Sequence, residues 1–241
     1  MMWNGKKKAI TFSYDDGVTQ DVRLIEIFNR YGLKATFNLN SELLGKKDIL
    51  DRPDFCVLHH KVEPQDVRSI YEGHEVAVHT LTHPRLTKIE DEKEIIRQVE
   101  QDRLNLSELV GYEVVGMAYP CGGENNDDRV AKIIRENTGV RYARALKSHH
   151  TFSIYPDLYR FQSTVHHHGA WDEMWKLADR FLSEESDEPM LFYIWGHAYE
   201  FYIFPERWAQ FDEFCKKIGG RNDIFYGTNR EVLLTKEIEG K

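Results

Sequence analysis

The stretch Thr11–Gly17, TFSYDDG, carries an apolar run into two adjacent carboxylates and a glycine. The run from Ala9 to Tyr14 has the make-up of a short strand, and parallel α/β sheets place their chemistry where the C-terminal ends of the strands open. Asp15 and Asp16 are therefore expected together at the mouth of such a sheet. Two neighbouring carboxylates repel each other unless a cation, a proton or several hydrogen-bond donors lie beside them.

A partner for the pair follows at Val76–His83, VAVHTLTH, where a second short apolar run, Glu75 to Val78, delivers His79, with His83 four residues later. Two imidazoles and a carboxylate form a shell that holds a divalent ion and leaves positions open for water and substrate. This reading makes Asp16, His79 and His83 the ligands and leaves Asp15 as a base. Each motif alone has a plainer explanation. Asp and Gly favour turns, and eleven histidines generate H-x-x-x-H pairs by chance. Their coincidence at the ends of two strand-like runs favours the metal site.

The chain has 241 residues, enough to bury a substantial core in one domain. A net charge of −8 argues against a nucleic-acid or anionic-membrane surface, where positive charge supplies most of the binding. Cys56, Cys121 and Cys215 are scattered and odd in number, so no disulfide framework is implied and a reducing compartment is expected. The opening MMWNGKKKAITF lacks the apolar segment of a secretory signal, and no stretch approaches the roughly 18 apolar residues of a membrane span. A cytoplasmic location is the expectation.

Strands and helices alternate along the chain. Leu24, Ile27, Phe28 and Tyr31 mark a helix over 19–31, with Thr19 as cap and Gly32 past its end, and ATFNLN at 35–40 follows as a strand. Residues 48–63 lack a clean period and read as a long connection over the sheet mouth. A short helix at 64–71 leads to the strand before His79, and TKIE at 87–90 matches a capping box for a helix reaching Val110. Gly116–Tyr119 reads as a strand ending in Pro120-Cys121-Gly122-Gly123, then a helix at 127–137 and a strand at 142–146. Residues 147–169 look irregular, with His166, His167 and His168 expected on a loop at the rim. Trp171 and Trp175 lie on an amphipathic helix, facing the core. The continuous apolar run Met190–Trp195 fits a strand buried on both faces and delivers Gly196 and His197, with Glu200 close behind. Pro205 opens a further helix, Ile224–Tyr226 is a last strand, Asn229 caps a short helix, and the tail after Thr235 is expected to fray.

The order and spacing of DDG, HTLTH, a P-x-G turn and a late strand ending in histidine resemble the polysaccharide deacetylase family, the NodB-homology group of carbohydrate esterase family four. The likeness runs from about Thr11 to His197. It implies a single-domain α/β fold over 1–241, a distorted (β/α)7 barrel, that removes acetyl groups from sugars with a divalent metal, usually zinc, with cobalt or nickel as alternatives. By resemblance, Asp15 is the catalytic base, Asp16, His79 and His83 bind the metal, the Cys121 backbone N–H serves the oxyanion, and His197 is the general acid.

Two positions depart from the family pattern. The arginine usual just upstream of P-x-G is replaced by Ala118 and Tyr119, and the fourth-motif aspartate and aromatic are missing from Tyr142–Leu146. Arg144 is a candidate to replace that arginine, Tyr119 could adjoin the site, and Glu200 could orient His197. An acetylated sugar or oligosaccharide is the implied substrate. An O-acetyl esterase and an intracellular cyclic-imide or ureide hydrolase are the alternatives. A thiol nucleophile at Cys121 is disfavoured, because the middle of a P-x-G turn already has a use for its N–H. His74 is expected in the core or a turn.

Overall fold

The computed structural model describes residues 2–239, so Met1, Gly240 and Lys241, the ends of the expected 1–241 domain, lie outside it. Its strands are β1 (Lys8–Asp15), β2 (Ala35–Leu39), β3 (Ile49–Arg52), β4 (Phe55–Leu58), β5 (Glu75–Val78), β6 (Gly116–Ala118), β7 (Tyr142–Ser148), β8 (Phe161–Ser163), β9 (Val165–His166), β10 (Met190–Gly196) and β11 (Ile224–Tyr226). The main sheet runs β8-β7-β6-β5-β2-β1-β10-β9, and every pairing in it is parallel.

Its two ends meet at Thr164, between β8 and β9. The Thr164 N–H donates to the Tyr193 carbonyl at 2.9 Å, and its hydroxyl accepts from the Tyr193 N–H at 3.0 Å. With β8 and β9 counted as one interrupted strand, seven strands close a ring, the distorted (β/α)7 barrel. The distortion shows as a register shift between β7 and β8 and as β1 sharing one side between two partners. Phe12–Asp15 pair with β2, while Lys8–Ile10 pair with β11.

The period-two alternation of the strands divides the interior into two apolar regions. Ala9, Leu191 and Tyr193 point into the barrel with Tyr142 and Phe161, while Ile10, Phe12, Phe192 and Ile194 pack outward against the helices. Trp3 closes the bottom, its indole N–H donating to the Val232 carbonyl at 3.0 Å.

The helices Asp21–Arg30, Asp128–Asn137, Trp171–Ser183 and Arg207–Ile218 fall where their apolar stripes place them. Among the described residues, no helix is long and apolar enough to cross a membrane.

Several local expectations are corrected. Thr19 does not cap the first helix; its N–H is taken by the His60 carbonyl. The helix expected to start at the TKIE box starts instead at Glu92 under an Asp91 cap, because the Thr87 hydroxyl donates to the Glu124 carbonyl. Thr228, not Asn229, caps the short helix Asn229–Leu233. Asn229 is buried inside the barrel, its amide donating to the Thr11 hydroxyl at 2.9 Å. The tail after Thr235 forms a last helical turn, Lys236–Glu239, rather than fraying over its described part.

The stretch 48–63 is not a plain loop, and 147–169 is not wholly irregular. The first holds the antiparallel pair β3–β4, and the second holds β8 and β9.

Candidate metal centre and active site

The residues nominated by the sequence converge at the C-terminal mouth of the barrel. Asp15 ends β1, His79 follows β5, Cys121 follows β6, Arg144 lies in β7 and His197 follows β10. Asp15, Asp16, His79, His83, Cys121 and His197 line one pocket of about 580 Å³, with Tyr119, Trp195 and Tyr199 among its walls.

Asp16 Oδ1 lies 3.7 Å from His83 Nε2 and 4.0 Å from His79 Nε2. One donor atom from each residue lies within 4.8 Å of the other two. His79 Nδ1 lies 2.8 Å from the Ala118 carbonyl and donates to it, which leaves Nε2 as a free lone pair facing the site. Burial pushes the His79 imidazolium down to about 4, and burial lowers His83 as well. Both rings are therefore neutral at pH 7, the form in which imidazole binds a metal. Burial alone would raise Asp16, but Lys61 and a hydrogen bond from His59 hold its carboxyl well below the usual range. An ionised carboxylate and two neutral imidazoles suit a divalent ion.

The loops carrying these residues are strained and clamped. Asp16 (φ +83°), Thr80 (φ +68°), His83 (φ +61°) and Cys121 (φ +68°) are left-handed without being glycine, a conformation that clusters at functional sites. The helical stretch under the HTLTH segment contains a π turn, Arg97–Gln101. Its Gln98 carbonyl accepts the Leu81 N–H at 2.9 Å, and the Gln98 side chain accepts from the Thr82 N–H at 3.2 Å. Asn40 donates to the His79 and Thr80 carbonyls, and Asp102 accepts from the His79 N–H at 3.2 Å.

Asp15 is held from both sides. The Arg144 guanidinium donates to Oδ2, and the Asn38 amide donates to Oδ1 at 2.8 Å. Burial pushes Asp15 up, yet Arg144, His79 and His197 outweigh it and keep the carboxyl below its ordinary value. Arg144 is fully buried and lies over the Trp195 ring at 4.3 Å. It stands in register with Ala118 on the neighbouring strand, so its guanidinium starts beside the position where the resemblance leaves an arginine missing. Tyr119 lines the pocket but donates its hydroxyl to the Tyr159 carbonyl at 2.8 Å, away from Asp15.

His197 faces Asp15, with Nε2 4.0 Å from Oδ2, and its Nδ1 lies 3.2 Å from Glu200 Oε1. Burial works against the imidazolium, but Glu200, with Asp16 and Asp15, raises it to about 9. Of the histidine triplet, His166 closes β9 and His167 is buried, so neither sits on a rim loop, while His168 lies half-buried on the turn that follows. His167 is buried, 2.9 Å from the Tyr14 hydroxyl and 3.0 Å from Glu200 Oε2, and His166 lies 3.1 Å from Glu200 Oε1 and stacks on Trp195. Glu200 is thus shared by three histidines on the far side of His197. Of the late aromatics, Tyr199 lines the mouth, Phe201 is buried and Tyr202 is exposed.

Cys121 points its thiol at the His83 carbonyl, 3.4 Å away, and burial raises its pKa, which opposes a thiolate role. His74 packs in the core, accepting the Ala35 N–H at 3.2 Å.

His59 and Lys61 were missed as site residues. His59 Nε2 lies 3.1 Å from Asp16 Oδ2; Lys61 Nζ lies 3.4 Å from Oδ1 and donates to the Asp16 carbonyl at 2.7 Å. The adjacent histidines at 59 and 60 were the only signal, since a lone lysine in a long connection carries none. Lys61 supplies a buried positive charge where a dication would bind, and it also props the strained Asp16 backbone. Lys61→Met is therefore expected to lower the melting temperature of the metal-free protein and to tighten metal binding by about tenfold. Thermal scans with and without metal, and competition with a chromogenic chelator, check both; unchanged affinity would show that the charge is not felt at the site.

A family model described as polysaccharide deacetylase matches residues 3–143, which includes every nominated residue except Arg144, His197 and Glu200. Among curated proteins, the peptidoglycan-N-acetylglucosamine deacetylase of Listeria monocytogenes is 28% identical over 120 residues, covering 49% of this chain and 22% of that protein. The chain thus matches about a fifth of that relative's length.

Among solved structures, the Xyl-CE4 domain of a multidomain xylanase from the hindgut metagenome of Trinervitermes trinervoides superposes with a TM-score of 0.58 at 17% identity, over 97% of this chain and 92% of that one. The peptidoglycan deacetylase PdaC from Bacillus subtilis gives 0.51 at 18%, over 97% and 92%. At such identities the likeness is one of fold. The family match spans more than half of the sequence, and on that ground this chain belongs to the polysaccharide deacetylase family.

Proposed function

We propose that this protein is a divalent-metal-dependent hydrolase that removes acetyl groups, N-acetyl foremost, from an amino sugar or short oligosaccharide. The observation that carries the reading is the opposition across one pocket of a clamped carboxylate, Asp15, and a clamped imidazolium, His197, beside the Asp16–His79–His83 donor set. Zinc suits those donors, and cobalt or nickel can replace it.

Bound by Asp16, His79 and His83, such an ion would supply Lewis acidity toward the acetyl carbonyl and acidify a water. Asp15, kept ionised by Arg144 and Asn38, takes the proton of the attacking water. The Cys121 N–H, on its left-handed turn, donates to the carbonyl oxygen as charge develops there. His197, charged through Glu200, delivers a proton to the departing amine, which an amide needs more than an ester does.

The reading includes a cytoplasmic location and a single catalytic domain over 1–241. Three unpaired cysteines, of which Cys56 is exposed, support a reducing compartment.

Acetate release from N-acetylglucosamine, chito-oligosaccharides and an acetyl ester, by metal-stripped protein and after re-addition of zinc, cobalt or nickel, tests the proposal. Loss on stripping and recovery on re-addition are expected, with the amide-to-ester ratio separating deacetylase from esterase. Release that persists in the stripped protein overturns metal dependence. Metal binding without release from any of the three compounds, but with turnover of a hydantoin, overturns the acetyl specificity.

A further inference from the structure

The segment that looked like a loop in the sequence is a two-stranded ribbon. The β3–β4 ladder continues downward through backbone hydrogen bonds from His59 to Asp48, Lys61 to Lys46 and Gly45 to Val62, each of 2.8–2.9 Å. Its base is fixed to the loop after β1, where the Val62 N–H donates to the Gly17 carbonyl and the Thr19 N–H to the His60 carbonyl.

Successive side chains on such a ribbon alternate between its faces. The residues lining the pocket are the alternate ones: Asp48, Leu50 and Arg52 from one strand, and Phe55, His59 and Lys61 from the other. Most of one face of the ribbon therefore lines the active-site pocket, all but Val57, while Ile49 and Leu58 on the other face are exposed.

The wall is closed at its inner edge. The His59 ring meets Tyr199 edge to face with centroids 5.2 Å apart, and Tyr199 lies 4.9 Å from the His197 ring, so ribbon and post-β10 loop touch beside the acid. Opposite stand Tyr119, Leu146 and Trp195. The pocket's volume, about 580 Å³, is that of small-molecule clefts, which span roughly 300–1,000 Å³.

From this geometry we propose that the ribbon makes the active site an end-on pocket for a compact acetylated sugar of one or two rings, and that Leu50 and Phe55 set this length limit. The proposal rests on the deacetylase reading and deepens it. Leu50 and Phe55 offer apolar surface to a sugar face, and Asp48 and Arg52 offer partners for hydroxyls. A glycan chain continuing toward the ribbon meets a hydrogen-bonded wall.

The test compares kcat/KM for acetate release from N-acetylglucosamine, its disaccharide and its tetrasaccharide in the unaltered protein and in the Leu50→Ala/Phe55→Ala double variant, both metal-loaded. The short sugars are expected to match or exceed the tetrasaccharide, and the double variant is expected to raise the tetrasaccharide-to-monosaccharide ratio by about five- to tenfold. Activity that grows with chain length in the unaltered protein overturns the proposal, as does a double variant that changes all three lengths equally.

Calorimetric titration of metal-loaded Asp15→Asn protein with the same sugars separates this from failure of the chemistry. Binding of the short sugars at least as tight as of the tetrasaccharide, with acetate released from none of them by the unaltered metal-loaded protein, supports the pocket and sinks the deacetylase reading. Preferential binding of the tetrasaccharide, or no binding of the short sugars, overturns the pocket.

Discussion

Replacing Arg144 with methionine is expected to lower turnover by about a thousandfold and to destabilise the protein by about 3–5 kcal/mol. Both effects come from one contact. Arg144 is fully buried, and its guanidinium donates to Asp15 Oδ2 beneath the Trp195 ring. Removing it leaves a carboxylate that is itself only 2% exposed with the Asn38 amide as its remaining close donor. A buried charge robbed of its partner costs far more than an exposed one, because water does not replace the lost attraction. In the proposed mechanism the same loss makes Asp15 a poorly oriented base.

Arg144→Lys separates the two contributions. Lysine restores a positive charge but not the planar fork that reaches the carboxylate while stacking on Trp195, so stability should return more fully than turnover. Acetate release at saturating substrate and urea unfolding of the metal-free protein read the two quantities. A methionine variant that keeps near-normal turnover would remove Arg144 from the service of Asp15, whatever its stability.

The arginine also shows how far the sequence could be read. The DDG and HTLTH segments were legible because short apolar runs announce strands, and strand ends in a parallel barrel share one mouth, so ligand-type residues just after them converge. Arg144 was harder, since its value depends on register. It reaches Asp15 because β7 lies beside β6 with Arg144 opposite Ala118, a pairing between residues 26 positions apart that no local pattern encodes.

The ribbon was missed for a different reason. Its alternation is between a mixed polar face on the pocket and a partly apolar face in solvent, the reverse of the usual signature of a half-buried strand. His166 and His167 were misjudged because three polar side chains in a row look like a rim. In the structure the two-residue strand β9 turns His166 toward Glu200, and His167, the residue after it, points into the core.

That histidine cluster leads to the second large effect. Glu200→Gln is expected to move the alkaline limb of the kcat profile down by about two pH units and to reduce turnover at pH 8 by roughly ten- to a hundredfold. His197 stands at about 9 rather than 6.5 chiefly because Glu200 outweighs the effect of burial. The other charges facing it are Asp15 and Asp16 from the β1 end, with the His166 ring of β9 also adjacent, and they remain in the variant. Without Glu200, burial dominates and His197 loses its proton near or below neutrality, so the acid is absent where the base is ready.

The stability of the metal-free protein should follow with a defined sign. A histidine raised in the folded state contributes stability that is complete below its unfolded value of 6.5 and is lost as pH rises through about 9. Glu200, held well below 4.5 despite burial by His197 and His166, contributes stability present above 4.5 and lost as pH falls through its lower folded value. The gap between the native protein and the glutamine variant is therefore widest between about pH 4.5 and 6.5 and closes toward pH 9. Glu200→Asp, which keeps the charge on a shorter arm, should restore part of the alkaline limb. An alkaline limb that stays in place in Glu200→Gln while kcat falls at every pH would mean that Glu200 only positions the ring, and that the charge on His197 is held by Asp15 and Asp16 instead.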